Sequence, residues 1–263
     1  MRLAFRVSYL GSRYYGSQMQ ESSRTVEGEF VAACQRLDLF DDWRKAGFLS
    51  AGRTDRGVHA RGQVVAFSTE FPDRAIKTLN LQLSQDLWCT GYAEVPTEFH
   101  PRFDARSRTY RYYFSHVTNP ARMKSAARHF IGNHNFSNFA RVGDKNPWRT
   151  VLATHVFENS GFVCLEVTAQ SFLWHQVRCM ARAVQQVGDG EQDEDWIGGL
   201  LAQTTDKAIQ PAPAEGLILW DIDCGVTWTS LLPADRSRTH LADLQRHHAL
   251  MCRVCHALDE EKK

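Results

Sequence analysis

The residues best suited to chemistry lie in one glycine-rich segment, residues 50–65, which reads SAGRTDRGVHARGQVV. Within it Arg53 and Asp55 are two positions apart, so in extended backbone their side chains would point to the same face and could pair. A guanidinium beside a carboxylate favours the ionised form and fixes its orientation through a forked hydrogen bond. An ionised, oriented Asp55 in a loop that glycines open to a ligand is suited to act as a nucleophile or base. On residue types alone, a local ion pair without chemistry is the alternative.

Charge is unevenly distributed along a chain that is almost neutral, with 31 Lys and Arg against 30 Asp and Glu. Between residues 100 and 128, Asp104 is the one acidic residue in a run of cations: Arg102, Arg106, Arg108, Arg111, Arg122, Lys124 and Arg128. Acidic residues gather elsewhere, in the segment 189–195. A cleft that binds a polyanion would need such segregation, although a solvated basic face would show the same pattern.

The elements that must position these residues follow an α+β order in the first hundred residues. Alternating apolar residues predict a half-buried strand over residues 2–9, and helical spacing predicts a helix over 26–37 with Thr25 as its N-cap. The other predicted elements are short strands over 48–50 and 63–67, a helix over 75–83 and a strand over 87–95. The glycine-rich segment therefore links two apolar strands.

The second half of the chain repeats this general order. Its predicted elements are a strand over 108–115, a polar connection over 116–124, a hairpin of 151–158 and 162–168, helices over 172–187 and 196–201, and a strand over 217–226. From residue 235 a C-terminal helix is predicted to pack one apolar stripe formed by Leu241, Leu244, His248, Cys252 and Cys255. We expect an N-terminal half over 1–104, a C-terminal half over 105–234 and a helical tail over 235–263. No convincing internal repeat exists, so similarity of the halves is inferred from element order alone.

Composition indicates a cytoplasmic protein. The chain has no apolar run long enough to cross a membrane, so no membrane partner is expected. Its first residues alternate like a strand and do not resemble a signal peptide. The 7 cysteines form an odd, scattered set, which favours reduced thiols over a secreted disulfide framework.

Residues 51–60, AGRTDRGVHA, closely resemble the active-site motif A-G-R-T-D-x-G-V-H of the tRNA pseudouridine synthase A (TruA-type) family. In that family the Asp is the essential catalytic residue, which falls here on Asp55, and the Arg paired to it falls on Arg53. Tyr110, in the segment RTYRY, resembles the family tyrosine that contacts the target base. Arg178, in SFLWHQVR, resembles the family arginine that lies near the catalytic Asp. The amino-acid sequence of that segment is more similar to archaeal and eukaryotic members of the family than to bacterial ones.

Other family motifs match in order along almost the whole chain, with three departures. Leu10 stands where the family has Asp, Ser17 where it has Trp before Gln, and Ser84 where it has Pro. All three lie outside the catalytic residues, so they bear on substrate contacts more than on chemistry.

The resemblance implies a pseudouridine synthase fold: two similar α+β halves with a continuous, mostly antiparallel sheet and a central basic cleft. It implies isomerisation of uridine to pseudouridine in tRNA without cofactor or metal, in which Asp55 either attacks C1′ or abstracts the C2′ proton. The implied substrate is the anticodon stem-loop, at roughly positions 38–40, and selection of an arm fits recognition of RNA by shape. A homodimer is also implied.

Substrate binding in this interpretation falls to one set of residues: Tyr110, Arg102, Arg106, Arg108, Arg111 and His59. Tyr110 could stack on the flipped uracil, and the arginines would contact phosphates without reading sequence. His59 is also expected to support the loop that carries Asp55.

Two alternatives remain open from the sequence. A non-enzymatic RNA-binding protein could use the same fold, since an α+β sheet with aromatic residues can bind RNA without chemistry. A zinc site, in a nucleobase deaminase or as a structural element, is suggested by Cys252 and Cys255 near His248. The deaminase signature also requires H-x-E and P-C-x-x-C, and neither occurs here.

Overall fold

A computed structural model describes residues 1–116, 119–204 and 207–259. Its strands are β1 (Arg2–Tyr9), β2 (Leu49–Ser50), β3 (His59–Ser68), β4 (Leu87–Glu94), β5 (Ser107–Tyr113), β6 (Gly132–Asn135), β7 (Trp148–Asn159), β8 (Phe162–Ala169), β9 (Leu217–Asp223) and β10 (Thr229–Ser230). Its α-helices are α1 (Val26–Arg36), α2 (Pro72–Gln82), α3 (Pro120–Arg128), α4 (Gln176–Gly188), α5 (Trp196–Leu201) and α6 (Asp235–Asp259).

All ten strands belong to one sheet in the order β10-β4-β1-β3-β9-β5-β8-β7-β6, with β2 pairing to β3. Every pairing between these strands is antiparallel except that of β3 with β9, where His59 lies opposite Ile218 and Ala60 opposite Leu219. This parallel junction joins strands from the two ends of the chain. The predicted fold, α+β with a continuous and mostly antiparallel sheet, is confirmed.

Buried side chains form two hydrophobic clusters, one at each end of the sheet. In the N-terminal cluster Phe5 stacks on Phe67 with ring centroids 5.5 Å apart, and in the C-terminal cluster Phe130 meets Phe139 edge to face at 5.1 Å. Burying each such ring stabilises the fold by roughly 1.5–3 kcal/mol. Tyr110 on β5 packs against both clusters. Most members of each cluster come from one of the proposed halves, 1–104 or 105–234, but Leu219, Ile222 and Cys224 pack in the N-terminal cluster and Val58 in the C-terminal one.

Local sequence explains why α1 and the β7–β8 hairpin form as predicted. The Thr25 hydroxyl accepts a hydrogen bond from the Gly28 backbone N–H, which caps α1. The hairpin turns through Ser160 and Gly161, both with positive φ (52° and 83°), which matches the twist of the two strands. Short-range chemistry is sufficient for both elements.

The predicted half-burial of β1 is wrong, because the strand lies between β4 and β3 and both of its faces are covered. Ala4 and Ser8, on the face expected to be open, are buried. Arg2 is buried there as well, and its guanidinium donates to the carbonyl oxygens of Phe99 (3.0 Å) and Gly47 (3.1 Å). The alternation of apolar residues predicted the strand correctly but did not indicate that it lies in the interior of the sheet with both faces covered.

The predicted polar connection over 116–124 is also wrong in part, because residues 120–128 form α3 (residues 117 and 118 lie outside the described residues). Asn119 caps the helix by accepting from the Arg122 N–H at 3.1 Å, and Pro120 occupies the first turn. Met123 then packs into the core. The pair Asn-Pro is a helix-start signal that the polar composition concealed.

The C-terminal helix α6 forms as predicted, but its expected packing does not. Leu241 and Leu244 are partly buried, whereas every residue from 245 to 259 is exposed, including His248, Cys252 and Cys255. Near its start Arg236 donates to carbonyl oxygens at the end of α2, which anchors the helix. The predicted tail extends over 260–263, which lie outside the described residues.

In the described part of the chain we find neither a cluster of side chains suited to bind zinc nor a helix suited to span a membrane. Across residues 1–116, 119–204 and 207–259, no group of three or more His, Cys, Asp or Glu side chains is arranged to hold a metal ion. No helix of these same ranges has the length and apolar character needed to cross a membrane.

A partly buried ion pair connects the segment before α1 to the segment before β4. Asp86 is buried and accepts hydrogen bonds from Arg24 (Nη1 to Oδ2, 2.8 Å) and from the Tyr14 hydroxyl (2.9 Å). Burial raises the pKa of Asp86, but hydrogen bonds from Arg24, Tyr14 and Ser84 outweigh it and lower the pKa to about 2. Such a carboxylate stabilises the fold above its unfolded pKa of about 3.9 and loses that contribution as the pH falls towards the folded value.

We expect Asp86→Asn to lower the free energy of unfolding at pH 7 by about 2–3 kcal/mol, because a carboxyl whose pKa is about 2 in the folded protein and about 3.9 in the unfolded chain contributes that much. Urea denaturation followed by circular dichroism measures the difference. The difference in free energy of unfolding between wild type and Asp86→Asn should become smaller as the pH falls from 5 towards 3. The control is Asp144→Asn, which removes an exposed carboxylate and should leave the free energy of unfolding unchanged. A difference that stays constant over this pH range would contradict the assignment.

Candidate active site

A cleft open to solvent lies between the glycine-rich loop, the middle of the sheet and the segment that leads into α4. It is lined by Arg53, Thr54, Asp55, Val58, Tyr110, Phe172, Leu173, Trp174, His175, Gln176, Val177, Arg178 and Leu217. These residues come from the glycine-rich loop, the middle of the sheet and the start of α4. The cleft therefore brings together three predicted catalytic residues that are distant in sequence, Asp55, Tyr110 and Arg178, and Arg53 lines it as well.

Asp55 is positioned by its neighbour Thr54, which is buried and held on three sides. The Thr54 N–H donates to the Ser17 hydroxyl (2.8 Å), its carbonyl oxygen accepts from the Ser17 N–H (3.0 Å), and its hydroxyl lies 2.8 Å from that of Tyr9. Ser17, one of the departures from the family motif, thus fixes the backbone beside Asp55. Gly11 approaches the same loop so closely that a Cβ there would lie 2.0 Å from the Val58 carbonyl oxygen.

The Asp55 carboxylate contacts three side chains from a single turn at the start of α4. Trp174 Nε1 donates to Oδ1 at 2.9 Å, and Arg178 Nη1 donates to Oδ2 at 3.3 Å. His175 Nε2 lies 3.4 Å from Oδ2. The carboxylate also faces the N-terminal end of the helix, whose partial positive charge favours an anion. Since 27% of the Asp55 side chain stays exposed, the group remains within reach of a ligand.

This turn starts the helix later than predicted, at Gln176 and not at residue 172. His175 takes a left-handed conformation (φ 65°), which interrupts the chain before the helix begins. The Gln176 side chain then accepts from the Leu173 N–H at 2.8 Å. Because of this reversal, Trp174 and His175 face the same carboxylate as Arg178 on the first turn of α4.

Arg53 does not pair with Asp55. It lines the cleft but is exposed, and no ion pair or hydrogen bond joins the two among the described residues. The carboxylate is instead occupied by groups from α4, so the predicted partner Arg178 takes the place expected for Arg53. The Arg178 side chain is held in turn by a 2.7 Å hydrogen bond from its Nε to the Ala212 carbonyl oxygen.

Tyr110 occupies the floor of the cleft, in the middle of the sheet. Its ring meets that of Phe172 edge to face, with centroids 5.2 Å apart. Burial raises the pKa of Tyr110 to about 12, with Arg108 lowering it and the charge of Asp55 raising it further. The phenol is therefore neutral at physiological pH and can both donate and accept a hydrogen bond.

Two arginines assigned to substrate binding are engaged elsewhere. Arg108 donates to the carbonyl oxygens of Gln170 (2.7 Å), Arg102 (2.7 Å) and Ala51 (3.2 Å), so it holds backbone segments together. Arg111 lies on the face of the sheet opposite Tyr110, since successive strand residues alternate in direction. There it stacks 3.6 Å from the Trp220 ring centroid and bonds Glu166 at 2.6 Å.

The remaining assigned residues do not line the cleft. Arg102 and Arg106 are exposed, and Arg106 lies against Gly225 beside a second depression. His59 Nδ1 accepts from the Gly11 N–H at 3.0 Å, and burial lowers the pKa of His59, with the Glu215 backbone opposing the shift. His59 therefore ties the end of the glycine-rich loop to the backbone at Gly11. The basic segment 100–128 does not converge on the cleft.

Trp174 and His175 are the side chains at Asp55 to which the sequence analysis gave no role. Helical spacing from Arg178 does not account for them, because both residues precede α4 and reach Asp55 through the left-handed turn at His175. Arg141 adds to this group, since its N–H donates to the Trp174 carbonyl oxygen (3.0 Å) and its guanidinium lies 5.0 Å from the Trp174 ring centroid.

Comparison with known proteins gives consistent matches. Residues 126–223 match the family model described as tRNA pseudouridine synthase. A protein named tRNA pseudouridine synthase A from Methanoculleus marisnigri is 53% identical over 100% of this chain and 97% of its own length. Proteins of the same name from Methanosphaerula palustris (54% identity, 98% and 93% coverage) and Thermococcus sibiricus (40%, 84% and 84%) also match.

Among solved structures, a chain of a Cbf5–Nop10–Gar1 complex aligns with a TM-score of 0.38 at 15% identity, over 70% of this chain and 45% of that chain. A likeness of this strength supports no conclusion about function.

Proposed function

This chain belongs to the tRNA pseudouridine synthase family and is an isomerase that acts on tRNA, and from that premise we propose that Asp55 is its catalytic carboxylate and that its target uridines lie in the anticodon arm. The predicted family and reaction class are thereby confirmed. The observation that supports the role of Asp55 is its position in the cleft, where Trp174, His175 and Arg178 surround its two oxygens. A carboxylate oriented in this way suits nucleophilic or base chemistry.

The reaction needs a single carboxylate because the base never leaves the site. The N1–C1′ bond breaks, the uracil rotates, C5 bonds to C1′, the proton of C5 is lost and N1 gains one. Glycoside hydrolysis, in contrast, uses two carboxylates to manage water and a departing group. Asp55 would either attack C1′ or take the C2′ proton of the flipped nucleotide.

Tyr110 is placed to contact the uracil. Its ring forms part of the cleft floor and its buried phenol is held neutral, so the hydroxyl can take part in proton transfer at the base without carrying charge. Phe172 supports the ring from the side. The hydroxyl is therefore proposed to relay the C5 proton: it takes up this proton while it passes its own proton to solvent, so that the phenol stays neutral throughout.

Replacing the hydroxyl alone tests this role. We expect Tyr110→Phe to lower the single-turnover rate by about 10²-fold or more, because general acid–base groups contribute 10²–10⁴-fold. The affinity for tRNA should change little, since the ring remains. The control is Tyr113→Phe, on the opposite face of the same strand. A Tyr110→Phe enzyme as fast as wild type would exclude the hydroxyl from the chemistry.

Binding of the anticodon stem-loop is proposed to depend on shape and charge and not on sequence readout. Arg53, exposed at the cleft and free of contact with Asp55, is suited to meet the nucleotide or its phosphate. We further propose a cytoplasmic homodimer, with tRNA lying across both subunits. Analytical ultracentrifugation would determine the oligomeric state.

The first experiment is pseudouridine mapping on unmodified tRNA transcripts incubated with the protein in EDTA, without added cofactor. Product at roughly positions 38–40 would support the proposed site of action. Product elsewhere in the tRNA would retain the enzyme class and overturn the anticodon assignment. A folded protein that binds tRNA but forms no product would favour an RNA-binding role on the same fold.

A further inference from the structure

His175 makes a contact with Asp55 that the chemistry above does not use. Its Nε2 lies 3.4 Å from Asp55 Oδ2, and 12% of its side chain is exposed. A non-glycine residue in the left-handed region is uncommon, so the chain accepts a backbone cost to place the ring here. We infer that His175 is a positioning residue, an uncharged imidazole whose Nε2–H donates to the Asp55 carboxylate. The inference rests on the proposed catalytic role of Asp55.

The other ring nitrogen identifies the protonation state. Nδ1 of His175 is buried and has no hydrogen-bond partner in the described part of the chain. A neutral imidazole carries one N–H, and the proton belongs on Nε2, which faces an acceptor. Protonation of the ring would leave a buried N–H on Nδ1 without an acceptor, and an unsatisfied buried donor is costly. Geometry therefore favours the neutral Nε2–H form.

The charged groups around His175 favour the same state. Burial lowers the pKa of His175, the charge of Asp55 opposes this shift, and the cations of Arg178 and Arg141 lower the pKa further. These groups face the ring from the glycine-rich loop (Asp55), from α4 (Arg178) and from the segment before β7 (Arg141). At pH 7 the imidazole is therefore uncharged.

A neutral donor has a specific advantage at this position. Arg178 already supplies one positive charge to Oδ2. A second cation would attract the electron pair that Asp55 needs for attack on carbon or removal of a proton. An uncharged N–H fixes the orientation of the carboxylate with a smaller loss of reactivity. Protonation of His175 at acid pH would remove this advantage and slow the reaction.

Two substitutions separate the hydrogen bond from the shape of the ring. His175→Phe keeps a ring and removes the donor, whereas His175→Gln places an amide N–H near the position of Nε2. At saturating tRNA we expect the His175→Phe variant to have a kcat lower by about 10–100-fold and a KM changed less than about threefold, a loss comparable to that caused by removing a hydrogen-bond partner that orients a metal ligand. Gln should recover most of that loss. Since Gln cannot protonate, its rate should also persist to lower pH than that of wild type.

Several results would overturn the inference. Full activity of the His175→Phe variant would do so, and so would equal losses of kcat in the His175→Phe and His175→Gln variants. The third such result is a pH–rate profile of His175→Gln that falls at the same acid pH as that of wild type. His155→Phe, at an exposed histidine on β7, is the control for loss of an imidazole elsewhere.

A second measurement requires no turnover and guards against a variant that fails to fold. The pKa of His175, followed by NMR with the signal assigned through His175→Gln, should fall further in Asp55→Asn, because the carboxylate that opposes the shift has been removed. An unchanged pKa would overturn the coupling. If instead Asp55→Asn retains turnover, the proposed function of Asp55 fails, and the NMR result still decides whether His175 is coupled to this carboxylate.

Discussion

Asp55→Asn is expected to reduce pseudouridine formation by about 10⁴-fold or more while tRNA still binds, as for loss of the reactive group in other enzymes. Asparagine has nearly the size of aspartate, so the loop held by Thr54 and Ser17 should stay in place. The substitution removes the negative charge that, in the proposed mechanism, either attacks C1′ or accepts the C2′ proton. Because the effect is confined to chemistry, the rate should collapse without a matching loss of affinity.

The measurement combines single-turnover pseudouridine mapping with tRNA binding by filter retention, on wild type and variant. Asp104→Asn is the control, since it removes an exposed carboxylate outside the cleft and should leave both quantities unchanged. Normal product from Asp55→Asn would show that another group is the catalyst. Loss of binding together with turnover would instead assign Asp55 to the structure of the loop.

Much of the fold follows from local sequence, but the details at the cleft do not. Apolar periodicity and capping chemistry predicted β1 and α1, because their signals lie within the elements themselves. The left-handed turn at His175 has no such signal, since a histidine in that conformation is stabilised by its surroundings. That turn decides which side chains reach Asp55. The candidate site is therefore less predictable than the sheet that supports it.

The arginines illustrate a second limit. Arg108 and Arg111 looked equivalent as phosphate-binding cations, but one holds three carbonyl oxygens and the other pairs with Glu166. Which groups these two side chains bind depends on contacts between residues distant in sequence, and composition does not reveal such contacts. Tyr110 and Arg111 are neighbours in a strand and face opposite sides of the sheet, so the two side chains are not expected to contact the same nucleotide.

Arg178 supplies the second large expected effect, because it joins two parts of the site. Its Nη1 donates to Asp55 and its Nε to the carbonyl oxygen of Ala212, so one planar group holds the carboxylate and the chain that precedes β9. The side chain is 15% exposed, and its interaction with Asp55 is weakly screened by solvent. Within the described contacts it is the arginine paired with Asp55.

We expect Arg178→Met to lower kcat by about 10²–10³-fold, comparable to removal of one preorganised donor from other active sites. Arg178→Lys should fall between Met and wild type, because a single ammonium cannot reproduce the geometry of a fork that serves two acceptors. The control is Arg182→Met, one turn later on α4, where the side chain is exposed. Single-turnover rates at saturating tRNA provide the measurement. Equal rates for Lys and wild type would show that charge alone suffices, whereas equal losses for Lys and Met would show that the fork, which holds both Asp55 and Ala212, is what the reaction requires.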